Sequence, residues 1–340
     1  MCEVDNFVFD FGSDTTKFGR GKGKAPELIK TPEFIERGAI TDFEKMSSFT
    51  KKLIENYGKT DEISATFIEN ILNSRSNRLD LVQVSFEEIE FSSMIILPSS
   101  TANLFSNGIY SGISLDIGHR KTYCSPTDDS FDFHNTKIQT NLGGDNITKF
   151  IQKIFNIDDY KDANTIKESN YKLPDNQIIQ KCSETLFDFH LLDSTSEYTS
   201  IIDMLETSCN KIHQFNADFT KLKYVIVSGG SSKFENLEKT ISNKFNQNDL
   251  IIKKSRIDNS SWVGGSLLID CFKDDFRKKF LLKEDYDKIG PVIVFESCFI
   301  GYSTFDHQQL NVVSAYNEKY LKISVNILGF RDISFHFLKF

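Results

Sequence analysis

The sequence contains a single Trp, only six Pro and no excess of positive charge over its 340 residues. Forty Lys and Arg stand against 48 Asp and Glu, a formal net charge of −8. That balance excludes a broad electrostatic grip on a phosphate backbone, so direct binding to nucleic acid is not expected. The small basic group Arg20, Lys22 and Lys24 reads as a solvated loop. No uninterrupted apolar run is long enough to cross a bilayer, so no membrane partner is expected. The opening residues, Met1 to Asp5, are acidic and lack an apolar signal core. The six Cys (Cys2, Cys124, Cys182, Cys209, Cys271 and Cys298) form no CxxC pair, and no His cluster accompanies them. Their scatter excludes a zinc module read from spacing and points to a reducing compartment, the cytoplasm or the nucleus.

The composition is 39% hydrophobic and 26% charged, as in an ordinary globular chain. Its length exceeds one small core, so two lobes or two domains are expected. Asn6 to Phe11 reads as a buried strand, followed by a turn at Gly12-Ser13-Asp14 and a second strand through Thr15, Thr16 and Phe18. A helix is expected from Thr41, where Thr41 and Glu44 have capping-box spacing, through Ile54 to a stop at Gly58. A second helix is expected over Asn77 to Glu90, then an apolar stretch from Met94 to Leu97. Ile113 to Asp116 reads as a strand turning at Gly118-His119-Arg120, and Gly143-Gly144 opens an amphipathic helix. Asp158 to Pro174 looks like a polar loop. Helices are expected over Ser200 to Phe215, around Leu237, Ile241 and Phe245, and after Ser260, with a strand at Tyr224 to Val227.

Asp10, Gly12 and Thr16 recur at the same spacing as Asp116, Gly118 and Thr122, each set on a strand-turn-strand unit. The repeat points to a duplicated fold with two similar lobes. Turns of this kind carry chemistry because small side chains let backbone N–H groups approach phosphate oxygens. Facing each other across a cleft, Gly12-Ser13-Asp14 and Gly118-His119-Arg120 could clamp a polyphosphate. Lys17 could reach the phosphates as a point charge. Asp10 and Asp116 could hold the hydration shell of Mg²⁺, which takes oxygen ligands and keeps its waters. Gly229-Gly230, after a strand, would let the backbone pass flat beneath a base or ribose.

The order of these segments along the chain resembles the actin and actin-related family. Asp10-Phe11-Gly12-Ser13 through Lys17 is similar to the family's first phosphate loop, and Leu115-Asp116-Ile117-Gly118 to its second. Asn141 to Thr148, including Gly144, resembles the segment that reaches the adenosine. Val227-Ser228-Gly229-Gly230-Ser231-Ser232 resembles the Ser-Gly-Gly-Thr-Thr segment, and Ser261 to Ser266 the Trp-Ile-Gly-Gly-Ser segment. Glu284 to Phe299 resembles the C-terminus, with its closing Cys298-Phe299.

The resemblance implies an α/β, actin-like ATPase fold: duplicated ribonuclease H-like lobes, mixed sheets flanked by helices and a central nucleotide cleft. Residues 1–110 with 266–299 would form the first lobe, 111–265 the second, and 300–340 a C-terminal extension. That extension could add a strand to a sheet edge, dock on a partner or pack on its own domain. Subdomains 2 and 4 look reduced, through shortening between Pro32 and Arg37 and between Ile154 and Leu173, where Lys167-Glu168 could replace part of the adenine pocket.

The catalytic apparatus also departs from the family pattern. Ser99 stands where the family has a Gln that orients the attacking water, so no catalytic residue is assigned. His119 and Arg120 replace an Asp and a Gly, Tyr123 replaces a His, and Asp258 replaces a Lys near the adenine. Arg120 could attract a phosphate or block the site. The implied ligands are ATP or ADP with Mg²⁺, weakly bound or absent. The implied role is a non-catalytic structural or interaction subunit of a cytoskeletal assembly, with protein partners such as actin or a larger actin-related complex. Filament formation is not expected. The alternatives are a polymerising actin-like ATPase and an actin-related subunit of a nuclear chromatin-remodelling complex.

Overall fold

Strand-turn-strand units built on alternating apolar residues define both halves of the chain. The computed structural model describes residues 5–21, 25–36, 38–57, 62–70, 73–128, 131–169, 182–192, 198–214, 221–245, 250–271 and 279–297. Gly58, Lys22, Lys24, Cys298-Phe299 and the 300–340 extension lie outside them.

The strands are β1 (Asp5–Phe11), β2 (Thr15–Arg20), β3 (Glu27–Lys30), β4 (Ile35–Glu36), β5 (Ala39–Ile40), β6 (Ile63–Glu69), β7 (Ser93–Pro98), β8 (Gly112–Ile117), β9 (Thr122–Asp128), β10 (Phe131–Asp132), β11 (Ile138–Thr140), β12 (Tyr224–Ser228), β13 (Ile251–Lys254) and β14 (Leu281–Leu282). The helices are α1 (Phe43–Glu55), α2 (Arg75–Glu87), α3 (Ser99–Ser106), α4 (Gly144–Phe155), α5 (Tyr160–Ser169), α6 (Ile201–Gln214), α7 (Leu237–Lys244), α8 (Ser260–Cys271), α9 (Lys283–Ile289) and α10 (Val294–Ser297).

The first sheet has the order β14-β7-β6-β1-β2-β3 and the second β10-β9-β8-β12-β13, with β11 also on β9. In each, an antiparallel hairpin (β1–β2, β8–β9) continues sideways into two parallel strands (β6–β7, β12–β13). The registers coincide as well. Asp10 pairs with Lys17 and Phe11 with Thr16, as Asp116 pairs with Tyr123 and Ile117 with Thr122. The repeat seen in the sequence is therefore a structural duplication.

Phe7, Phe9, Phe18, Phe67 and Phe91 are buried against one another in the first lobe, with Phe9 and Phe67 stacked at 5.2 Å. Each such burial contributes about 1.5–3 kcal/mol. A separate aliphatic cluster, including Ile113, Leu115, Ile147, Met204 and Val225, fills the second lobe.

Three expectations are corrected locally. Asp42, not Thr41, caps α1, its carboxylate accepting the Lys45 N–H. Helix α2 starts at Arg75, capped by the Ser74 hydroxyl, and stops at Glu87, before Glu88 to Glu90. Residues 160–169 form α5 rather than a loop, because Ala163 and the aliphatic stem of Lys167 supply its buried face. Helix α8 packs its Trp262 and Leu268 with Val8, Ile68 and Ile95 of the first sheet.

Between β3 and α1 lie only residues 31–42, carrying the two-residue hairpin β4–β5. Among the described residues no helix is long and apolar enough to cross a membrane.

Candidate functional site

A cleft of about 600 Å³ lies between the lobes, at the ends of β1 and β8. Both hairpin turns open into it. Asp10, Gly12, Ser13, Asp14 and Lys17 line it from the first lobe. Asp116, Gly118, His119, Gly144 and the Gly229-Gly230-Ser231 segment line it from the second. Ser99, at the first position of α3, lies on its wall and is buried. Of the residues in the two turns, Arg120 is not among the lining. It is exposed, and Lys121 lines the cleft instead. Its bulk therefore does not block the site.

Lys17 and the two strand-end carboxylates form one group. Lys17 Nζ lies 3.1 Å from Asp10 Oδ2, and Ser261 Oγ donates to the same oxygen at 2.6 Å. Burial alone would depress the Lys17 pKa, but the carboxylates of Asp10 and Asp116 outweigh it and raise it. Burial drives Asp116 up to about 6; the charge of Asp10 adds to this, while Lys17 and a hydrogen bond from Ser228 oppose it. Asp116 is thus a carboxylate short of positive partners.

The second turn carries His119, whose Nε2 lies 3.8 Å from Asp14 Oδ1 and 4.0 Å from Asp145 Oδ1. Burial holds its pKa below the ordinary value despite these carboxylates. Asp14 itself is held low: burial raises it, but hydrogen bonds from Lys30 and from Thr15 Oγ1 prevail.

Several glycines serve the backbone rather than a ligand. Gly229 has φ +88°, and a Cβ there would lie 2.4 Å from Asp116 Oδ1. Gly264 lets α8 cross α3, since a Cβ would fall 1.8 Å from the Ala102 carbonyl oxygen. A Cβ on Gly230 would meet nothing within 4 Å. The N-terminus of α4 is closed to anions, because Gly144 and Asp145 donate their N–H groups to the carbonyls of Gly118 and His119.

Two lining residues, Lys233 and Lys254, carried no sequence signal of their own. Lys233 and Lys254 form one side, with Lys254 Nζ donating to the Lys233 carbonyl at 3.2 Å. Lys167 is 2% exposed, lines the cleft and donates to Gly144 O (3.1 Å) and Thr148 Oγ1 (2.8 Å). The family resemblance offered Lys167-Glu168 for part of the adenine pocket, and α5, itself unexpected, brings both to the cleft wall.

The oxygen donors and open space fit a nucleotide with Mg²⁺. Asp10 and Asp116 supply hard carboxylate oxygens at adjacent strand ends, and the space beside Gly230 is free.

Comparison with known proteins agrees with this architecture. The Actin family model matches residues 28–162 and 151–299. Actin-like protein 9 of Rattus norvegicus is 24% identical over 308 residues, covering 78% of this chain and 74% of the relative. Actin-like protein 9 of Homo sapiens is 23% identical over 327 residues, covering 84% and 77%. With the family model spanning most of the chain, and with two duplicated sheets facing a common cleft, this protein belongs to the actin family.

Proposed function

We propose that this chain is an actin-related subunit that holds an adenine nucleotide with Mg²⁺ and does not hydrolyse it efficiently, serving a structural or interaction role in a cytoskeletal assembly. The observation that carries the reading is Ser99. It lines the cleft at the start of α3, where the family resemblance expects a water-orienting Gln, and a short buried hydroxyl cannot reach a water as an amide would. Hydrolysis depends on that positioning, and losing it removes much of the rate.

The groups that would bind are present. Lys17 supplies a fixed positive charge, the turns supply backbone N–H groups, and Asp10 and Asp116 would hold Mg²⁺ through its waters. When bound, Mg²⁺ supplies charge neutralisation for the phosphates. Asp116, whose pKa burial drives up to about 6, is held in its charged form when a cation sits beside it. Protein partners such as actin or a larger actin-related complex, in the cytoplasm or the nucleus, are part of this proposal and rest on family membership alone.

The test is steady-state phosphate release by the purified full chain with Mg²⁺ and ATP, beside a conventional actin. Release at a rate comparable to that actin would overturn the non-hydrolysing reading. The retained Lys17, Asp10 and Asp116 favour a polymerising ATPase as the second reading. High-speed pelleting over a wide concentration range separates the two. A tagged pull-down that returns chromatin-remodelling subunits would place the role in the nucleus instead.

A further inference from the structure

We infer that the cleft is built to keep a nucleoside diphosphate in preference to a triphosphate. The inference rests on the nucleotide reading above and narrows its ligand. The two hairpin turns face each other across the cleft, so a terminal phosphate clamped by both must lie between them. That space is already spanned by protein. His119 reaches from the second lobe's turn to within 3.8 Å of Asp14 on the first, and its side chain is only 17% exposed. Its lowered pKa leaves the ring neutral at physiological pH, so it brings bulk without positive charge.

Asp14 adds to the obstruction. Its carboxylate lines the cleft at the first turn, where a terminal phosphate would bring like charge beside it. The cations nearby already have partners. Lys17 pairs with Asp10, Lys30 with Asp14, and Lys167 donates to Gly144 O and Thr148 Oγ1. Tyr123 also lines the cleft, and a Cβ on Gly38 would lie 2.2 Å from its phenolic oxygen. The cleft is roomier at Gly230, where nothing lies within 4 Å of a Cβ, and Lys233 and Lys254 also line it. A base, ribose and two phosphates fit this distribution of space and charge; a third phosphate requires His119 and Asp14 to separate.

The experiment is competition binding on the nucleotide-stripped full chain with Mg²⁺, displacing a fluorescent ADP analogue with ADP or ATP. ATP is expected to compete at least about tenfold more weakly, equivalent to roughly 1.4 kcal/mol. Asp14→Asn, which keeps the side chain's size, and His119→Gly, which opens the space, should each bring the two affinities closer, and thermal melts establish that each variant is folded. Equal or tighter binding of ATP by the unmodified chain would overturn the preference alone. An ADP preference unchanged in both folded variants would overturn its assignment to these residues. Failure of both nucleotides to bind into the millimolar range would overturn the nucleotide reading itself, and the preference with it.

Discussion

Trp262 donates its indole N–H to the carbonyl oxygen of Val8 at 2.9 Å, joining α8 to the first strand across 254 residues of sequence. Its ring is fully buried, and a Cβ on Gly19 would sit 3.2 Å from it. Trp262→Phe keeps an aromatic body but leaves the Val8 carbonyl unpaired and a gap beside Gly19. We expect a loss of about 1–3 kcal/mol, read by urea denaturation followed by circular dichroism. An unchanged midpoint would show that this contact does not tie the helix to the sheet.

Asp116 sets a cost of keeping the cleft ready for a cation. Its folded pKa, about 6, lies above the ordinary 3.8, so the folded state binds its proton more tightly than the unfolded state. The resulting stability is fully present below the unfolded pKa and is lost as pH rises through about 6. Asp116→Asn should therefore stabilise the protein in EDTA above pH 7, by up to about 2–3 kcal/mol, with the gain vanishing near pH 4. Thermal melts across that range test the sign; a gain that grows on acidification would refute it.

Gly38 and Tyr123 meet from opposite lobes. Gly38 has φ +79°, and Asn70 Nδ2 donates to its carbonyl at 3.3 Å. Gly38→Ala should cost more than the roughly 1–2 kcal/mol of left-handed strain alone, because the new methyl group meets the phenolic oxygen. Combined with Tyr123→Phe, which removes that oxygen, the loss should fall back towards the strain value. A double-mutant cycle on urea midpoints measures the coupling, and strict additivity would deny the contact.

Arg78 grips Glu69, the last residue of the interior strand β6, with Nε and Nη2 at 2.6 to 2.9 Å. Both side chains are largely buried, at 12% and 8% exposure. Arg78→Ala leaves a buried carboxylate without its cation and should cost about 3–5 kcal/mol. The double change Glu69→Gln with Arg78→Met should recover much of that. If the single change is neutral in denaturation, the pair is not the anchor its geometry describes.

The strand-turn-strand units were legible because their signals are local. Alternation fixes which faces of β1 and β8 turn inward, and Gly12 and Gly118 occupy turns that a side chain would crowd. The spacing of Asp10, Gly12 and Thr16 reappears as an identical ladder register in the second lobe, since a two-residue period leaves little choice of pairing. Helix caps were less legible. Thr41 and Asp42 both suit a cap, and the backbone at Asp42 decides between them.

By itself, then, the sequence determined the duplicated hairpins, the two carboxylates at their strand ends and the glycines that shape the turns. Only the tertiary structure decided what stands between those turns. Arg120 points to solvent while His119 reaches Asp14, and nothing in the order Gly118-His119-Arg120 distinguishes the two side chains. Helix α5 was hidden because the segment is polar and its buried face is stabilised by α4, a partner distant from its own periodicity. Helix α8 belongs to the first lobe because Trp262 finds Val8 there, a contact 254 residues long that no local pattern encodes.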